Sequence, residues 1–292
     1  MRNKQRVFFE NLYRISAIVA SSFLLIIIAF IFISGLPALM EYGLFEMVSN
    51  GQWAPNASPA HFGLLYMILA TLVTTFISLF ISVPIGIFSA AYLSKIATKK
   101  VKKTIMFFVE ILAGIPSVIY GFFILTTLVK FIYDQGKHIE GVAGNSMLAA
   151  VVVLAIMALP TIITISVTAL DATDKSYNEA SLALGANKIQ TIFKVDVRAA
   201  FQGIMAAIVL GAGKVVGETM AVMLVAGNAI NFPGNLLDPV RTLTANIATE
   251  MAYASGLHQS SLYATGIILF VIIMILNYVL LVVIKKGGVG NA

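Results

Sequence analysis

Three ionisable residues stand inside otherwise uncharged apolar runs: Glu110, Lys214 and Glu218. An ionised side chain at the centre of a bilayer costs roughly 2.5–3.5 kcal/mol on insertion scales, so such groups pair or face a wet cavity. Lys214 and Glu218 are four residues apart, one helical turn of about 5.4 Å, which predicts an internal pair on one helix. That pair has two readings. It can be structural, each charge neutralising the other, although apolar residues fill such a role at lower cost. It can also be chemical, because Lys214 offers positive charge and three N–H donors to a partly dehydrated oxyanion. Glu218 would then hold the lysine while the path is empty and accept a hydrogen bond from a protonated oxyanion such as hydrogen phosphate. Sulfate carries no such proton at neutral pH and would be repelled. Glu110 lies seven residues past Lys103, about 10 Å along a helix, and reads either as a partner for a helix end or as part of the same path.

No catalytic constellation accompanies these groups. Ile208 to Lys214 (IVLGAGK) has the outline of a phosphate-binding loop, but Ile208 occupies the first glycine position and Val215 the place of the metal-binding hydroxyl. Neither a paired-histidine metalloprotease motif nor a Gly-x-Ser-x-Gly elbow is present. The absence of cysteine excludes disulfides, thiolate metal sites and cysteine nucleophiles. His61, His138 and His258 are scattered through expected loops and read as interfacial or solvated residues rather than metal ligands. The expectation is a chain with no catalytic residue, no metal and no cofactor of its own.

The elements that must position Lys214 and Glu218 follow from composition. Hydrophobic residues make up 59% and charged residues 11% of the 292 positions, and mean hydropathy is +0.95, which together indicate an all-α polytopic membrane protein. Six spans are expected. The first is Ile15–Ile33, an uncleaved run behind a basic amino terminus (1–14) and too long for a secretory core. A loop from Gly35 to His61 follows, with Trp53 as an interfacial anchor. The remaining spans are Phe62–Leu93, kinked at Pro84; Thr104–Val129, interrupted by Glu110 and by Gly114 to Ser117; Met147–Leu170; a fifth from about Ala199, carrying Lys214 and Glu218; and Leu262–Ile284, before a basic tail (285–292). Between the last two, Leu243, Ile247, Met251 and Ala254 share a helical face, which predicts a short amphipathic helix as a re-entrant lid or a surface cap. With the amino terminus cytoplasmic, one side holds Arg2, Lys4, Arg6, Arg14, the lysines between Lys95 and Lys103, Lys175, Lys188, Lys194, Arg198, Lys285 and Lys286. The other holds only Lys130, Lys137 and Arg241, so the positive-inside rule favours both termini in the cytoplasm. That topology explains the net charge of +6 without nucleic-acid binding.

The segment Ser176–Arg198 (SYNEASLALGANKIQTIFKVDVR) lies on that same side. Ser176 and Glu179 are spaced for a reciprocal helix cap, Gly185 can end the helix in a left-handed conformation, and Asn187 with Gln190 offers a second cap. Two short helices with a sharp bend result. On patterning alone the segment is also compatible with a solvated connector.

Glu179-Ala180-Ser181, three residues, Gly185, nine residues and Val195-Asp196-Val197-Arg198 resemble the EAA loop of ABC-importer permeases, E-A-A-x3-G-x9-I-x-L-P. Ser181 replaces the second alanine and Arg198 the usual proline. Gly211 to Val222 (GAGKVVGETMAV) resembles the G-R-x-x-G-E-T-M-A-V segment of the phosphate importer's PstC-type permease, with Lys214 where arginine is usual. Glu110 to Ser117 (EILAGIPS) and Arg241 to Glu250 (RTLTANIATE) are similar to the same family. The resemblance covers nearly the whole chain and implies a type I ABC-importer permease fold in a bacterial or archaeal plasma membrane. It implies a substrate path at Lys214, Glu218 and Thr219, with Glu110, Pro116, Ser117, Arg241 and Glu250 in the path or supporting it. Glu179, Ala180, Ser181, Gly185 and Ala186 would dock on a cytoplasmic ATPase. The implied partners are a homologous second permease (PstA type), an ATPase dimer (PstB type) that binds ATP and magnesium, an extracytoplasmic phosphate-binding protein (PstS type) and membrane lipid. A permease for molybdate or sulfate and a proton-coupled secondary carrier are the alternatives.

Overall fold

A computed structural model describes residues 2–136 and 143–287, and the side chains of 9–136 and 143–282. Lys137, His138 and Glu140 of the expected loop lie outside them, as do most of the basic side chains of the two tails. Among the described residues five helices are long and apolar enough to cross a membrane: Phe9–Tyr42, Leu65–Lys95, Ser117–Gly136, Met147–Asp171 and Gly256–Val282. A sixth crossing arises where Lys188–Ala199 meets Phe201–Val216 at a bend of 72°. Five of the six expected crossings have a counterpart among the described residues, the third of them shifted, and the fifth is a bent pair that crosses only if read as one span.

The helices are α1 (Arg2–Tyr42), α2 (Leu44–Ser49), α3 (Leu65–Lys95), α4 (Lys99–Gly114), α5 (Ser117–Ile124), α6 (Lys130–Gly136), α7 (Met147–Asp171), α8 (Lys175–Ala183), α9 (Lys188–Thr191), α10 (Val197–Ala199), α11 (Phe201–Val216), α12 (Met220–Val225), α13 (Leu243–Glu250) and α14 (Gly256–Gly287). π-Helical turns at Leu125–Val129 and Ile192–Asp196 join α5 to α6 and α9 to α10. A two-residue hairpin pairs β1 (Trp53–Ala54) with β2 (His61–Phe62).

α7 is the axis of the bundle. Its residues Ala149, Val153, Ala158, Ile162 and Leu170 are fully buried, while α3 and α11 pack along it. A helix apolar all round is buried among neighbours or faces lipid, and 61% of the most apolar window of α7 is buried inside the protein. Gly86 of α3 and Gly211 of α11 both meet Ile162, where an added Cβ would come within 2.6 and 2.9 Å of its side chain. α1 and α14 pack on each other at the periphery, and α1 leaves Ile18, Phe23, Leu25 and Phe30 more than half exposed.

Four expectations are corrected. The run Thr104–Val129 is not one span: Pro116 has no N–H to continue the ladder and forces its predecessor out of the helical region, so α4 ends at Gly114 and Ile115 is extended (ψ 128°). The crossing is Ser117–Gly136, and Glu110 sits instead on exposed α4. The loop expected from Gly35 is helical to Tyr42, with Pro37 inside α1. Trp53 is a core residue, 7% exposed, not an interfacial anchor. α14 starts at Gly256, so His258 belongs to a helix, not a loop.

Candidate functional site

The fifth crossing is built from glycines and small residues on one face and ends abruptly. Ile204, Ala207, Gly211, Ala212 and Val215 bury one side of α11, which spans about 24 Å at 1.5 Å per residue. The helix stops at Gly217, whose N–H donates to the Gly213 carbonyl (3.2 Å), and the Glu218 N–H turns back to Val215 (3.2 Å). α12 begins two residues later. The expected Lys214–Glu218 pair is therefore not formed, because the one-turn spacing holds only inside a continuous helix. Glu218 is used otherwise: its Oε1 accepts from the Ala221 N–H (3.1 Å) and caps α12. The Glu218 carbonyl accepts from the Thr244 hydroxyl (3.0 Å), and the Thr219 hydroxyl donates to the Gly217 carbonyl (3.3 Å).

Lys214 is half-buried and has no ion pair or hydrogen bond among the described residues. It stands in the last turn of α11, where unsatisfied carbonyls carry partial negative charge and favour a cation. An unpartnered ammonium four residues before a fixed carboxylate, on either side of a break in a membrane helix, can attract an anion and offer an acceptor to its proton.

The remaining candidates lie on α4, α5 and α13. Gly121 lets α5 lie against α12, since a Cβ there would sit 2.9 Å from the Ala221 Cα. Pro116 is the N-cap residue of α5 and Ser117 its first helical residue, and the Tyr120 hydroxyl donates across the α4–α5 interruption to the Leu112 carbonyl (2.7 Å). No hydrogen bond or ion pair among the described residues joins Glu110, Pro116 or Ser117 to Lys214 or Glu218.

Arg241 and Glu250 belong to a buried network. Arg241 Nη1 meets Glu250 Oε1 (2.6 Å) and Asn246 Oδ1 (3.1 Å), while its Nε donates to the Asn228 carbonyl (2.8 Å). Glu250 Oε2 accepts from Trp53 Nε1 (2.9 Å) and contacts His258 Nε2 (2.8 Å). This network fastens α13 to the β-hairpin and α14, and α13 in turn holds Glu218 through Thr244. The predicted amphipathic helix is present, but its polar residues Thr244, Asn246 and Glu250 are buried as well, so it is not a surface cap. Sequence reading missed Trp53, Asn246 and His258, whose partners are up to 197 residues away.

The hairpin forms at the other end of α11. Asp174, not Ser176, caps α8 through the Ser176 N–H (2.9 Å), which corrects the expected Ser176–Glu179 box. That bond, with the Ser176 hydroxyl, holds the exposed Asp174 carboxyl below its ordinary value of 3.8. Gly185 takes φ +85° and ends α8, and Asn187 with Gln190 forms the expected capping box on α9. Ser181 Oγ and Thr191 Oγ1 are 2.9 Å apart, so the residue that departs from the EAA pattern ties the two helices together. Asn178 Nδ2 donates to buried Asp196 (3.0 Å). The other oxygen of Asp196 lies 3.4 Å from Lys95 Nζ at the end of α3, an ion-pair distance longer than a good hydrogen bond. Lys102 pairs with Asp171 at 2.5 Å. Glu179 and Ala180 are exposed and Ala186 half-buried, and Leu184 at the tip is 90% exposed. Leu182, Leu184 and Ile189 form an apolar tip of the sort that marks a protein contact.

Residues 82–286 match the family described as binding-protein-dependent transport system inner membrane component. The chain is 37% identical over 257 residues to the probable ABC transporter permease protein YqgH of Bacillus subtilis, covering 85% of this chain and 82% of that protein. It is 34% identical over 272 residues to the phosphate transport system permease protein PstC of Mesorhizobium japonicum, covering 86% and 82%. Among solved structures, a chain of the inward-facing MetNI methionine ABC transporter superposes with a TM-score of 0.60 at 22% identity, covering 77% of this chain and 95% of that one.

Proposed function

The chain belongs to the binding-protein-dependent transport system inner membrane components, and from that premise we propose that it is the permease subunit of an ATP-driven importer of inorganic phosphate. The substrate is argued from the relatives named for phosphate transport and from the chemistry of Lys214 and Glu218. It forms half of the translocation path in a bacterial or archaeal plasma membrane, with both termini and the hairpin cytoplasmic. Its partners are a second, related permease (PstA type), a dimer of ATPases (PstB type) that bind ATP and magnesium, and a phosphate-binding protein (PstS type) outside. This chain performs no catalysis.

One observation carries this reading: a capped, bent foot with an exposed apolar tip leads through a 72° bend into the helix that ends at Lys214. Closure of the ATPases moves Glu179 to Ala186 as a unit, because Ser181–Thr191 and Asn178–Asp196 lock the two arms of the foot. α11 carries that movement to the Gly217 break, where Lys214 attracts the anion and Glu218 accepts its proton-bearing oxygen. A monovalent or divalent phosphate satisfies both groups. Sulfate leaves Glu218 facing an unprotonated oxygen, which disfavours it.

Reconstituted vesicles test this directly. With the ATPase and second permease present, uptake of labelled phosphate requires ATP, and Lys214→Ala abolishes it while the complex still assembles. Normal phosphate flux in that variant overturns the anion role. Uptake by this chain alone under a proton gradient overturns the ATP-driven reading, and preference for molybdate or sulfate in competition overturns the substrate.

A further inference from the structure

The two faces of the foot differ in the carboxylates beside their cations. On the face toward α3 and α7, Lys95 of α3 and Lys102 of α4 are paired with Asp196 and Asp171, and Lys175 and Lys188 line a groove that also holds the Asp171 and Glu179 carboxylates. On the opposite face Lys194 and Arg198 are exposed, and neither has an ion pair or hydrogen bond among the described residues. Four residues apart across the second π-helical turn and α10, they line one groove of about 510 Å³. Tyr177 of α8 and Gln202 of α11 add polar groups to its wall, and Val195 and Phe201 an apolar flank. No carboxylate lines it, since Asp196 between the two cations turns inward to Asn178 and Lys95.

We infer that this groove binds the phosphodiester headgroup of an anionic phospholipid. Arg198 presents a planar fork matched to two phosphate oxygens, Lys194 supplies a point charge, and the Tyr177 hydroxyl and Gln202 amide are further donors. The groove sits where the chain passes from the polar foot into the first turn of α11, a membrane-crossing helix. An acyl chain leaving the headgroup along Phe201 enters hydrocarbon at once, whereas a free ion gains nothing from Val195 or Phe201. The inference rests on the orientation proposed above, which puts the foot at the inner leaflet, the source of negative surface charge. Arg198 stands where the EAA pattern has proline, so the departure from that pattern itself supplies a headgroup ligand.

The test uses the purified transporter, delipidated and titrated with phosphatidylglycerol or phosphatidylcholine, with bound lipid counted by native mass spectrometry. Phosphatidylglycerol is retained in preference, and Lys194→Gln/Arg198→Gln lowers that preference by roughly fivefold per cation removed. Lys194→Arg restores the share due to Lys194. Both side chains are exposed, so an unchanged thermal midpoint shows that the double variant is folded. Equal retention of phosphatidylglycerol by the parent and the double variant overturns the inference. Displacement of the lipid by millimolar inorganic phosphate overturns it in favour of an ion site. Loss of ATPase co-purification with lipid retention unchanged overturns it in favour of an ATPase contact. Lys214→Ala leaves lipid retention untouched, so failure of the phosphate reading and failure of this one are read separately.

Discussion

Glu250→Ala removes the acceptor on which three donors converge: Arg241 Nη1, Trp53 Nε1 and His258 Nε2. The Arg241 side chain is 17% and the Glu250 side chain 9% exposed, so solvent screens the pair little. Breaking one side of a buried ion pair costs about 3–5 kcal/mol, because the remaining charge loses its partner without regaining water. Orphaning the Trp53 and His258 nitrogens adds about 1–3 kcal/mol each in a dry site. Arg241 keeps Asn246 Oδ1 and the Asn228 carbonyl, and water can enter the vacated volume, so the total stays near the ion-pair range. That corresponds to roughly a 10²–10⁴-fold shift in the unfolding equilibrium. Glu250→Gln retains one acceptor and costs about 1.5–3 kcal/mol. The decisive comparison is Arg241→Met/Glu250→Leu, which removes both charges and should recover most of the loss, since the penalty of the single variant is an uncompensated charge and not a missing attraction. Reversible unfolding in mixed micelles measures all four proteins. A Glu250→Ala variant within about 1 kcal/mol of the parent, below the range expected for a buried pair, refutes the argument, as does a double variant no more stable than the single.

Acid dependence of the foot follows from Asp174. Its folded pKa is depressed, so its contribution is present above the unfolded value of 3.8 and lost as pH falls through the folded value; amides of α8 should exchange faster only below about pH 4, and Asp174→Asn should remove that dependence. Gly185→Val forces a β-branched residue to φ +85°, where a Cβ has room but the backbone is strained by about 1–2 kcal/mol. The variant should retain ATPase co-purification and lose coupling, with hydrolysis continuing while phosphate flux falls; normal flux refutes a role for the bend. Because the chain has no cysteine, Ser176→Cys reports orientation by itself: a membrane-impermeant thiol reagent should label it only in lysed cells. Labelling in intact cells would place the foot outside.

What could be read from the sequence was whatever depends on neighbours in the chain. Met147–Asp171 came within a residue of its expected end, and the Asn187–Gln190 box and the Gly185 bend were found where expected, because caps and left-handed glycines are local chemistry. The misreadings share a cause. Lys214 and Glu218 were treated as one helix face, but Gly217 and the demand of α12 for a cap decide where Glu218 points. Glu110 interrupts the apolar run Thr104–Val129 and so reads as intramembrane, but Pro116 ends that helix and leaves Glu110 on α4, outside the crossing. Trp53 and His258 looked interfacial, and only the folding of α13 between β-hairpin and α14 brings them to Glu250, a relation with no periodicity along the chain.

Transmission from the foot to the break depends on how α11 is held. A helix that could slide along α7 would absorb movement of the foot in side-chain repacking, and the displacement would die out within a few turns. Ile162 prevents this. It fills the space above two glycines, one on α3 and one on α11, at contacts where not even a methyl group could be added without a shift. Interlocked packing of this kind resists sliding, so α3, α7 and α11 are held as one packed body. Lys95 extends the same unit outward, since it joins the end of α3 to Asp196 in the foot and to Thr173 after α7. Beyond that packed body the helical ladder ends at Gly217, and only Glu218 and Thr219 separate it from α12. On the far side, α12 is anchored by α5 at Gly121 and by α13 through Thr244. On the function proposed above, motion of the foot would be taken up at Gly217, between the unpaired Lys214 ammonium at the end of α11 and the Glu218 carboxylate that caps α12.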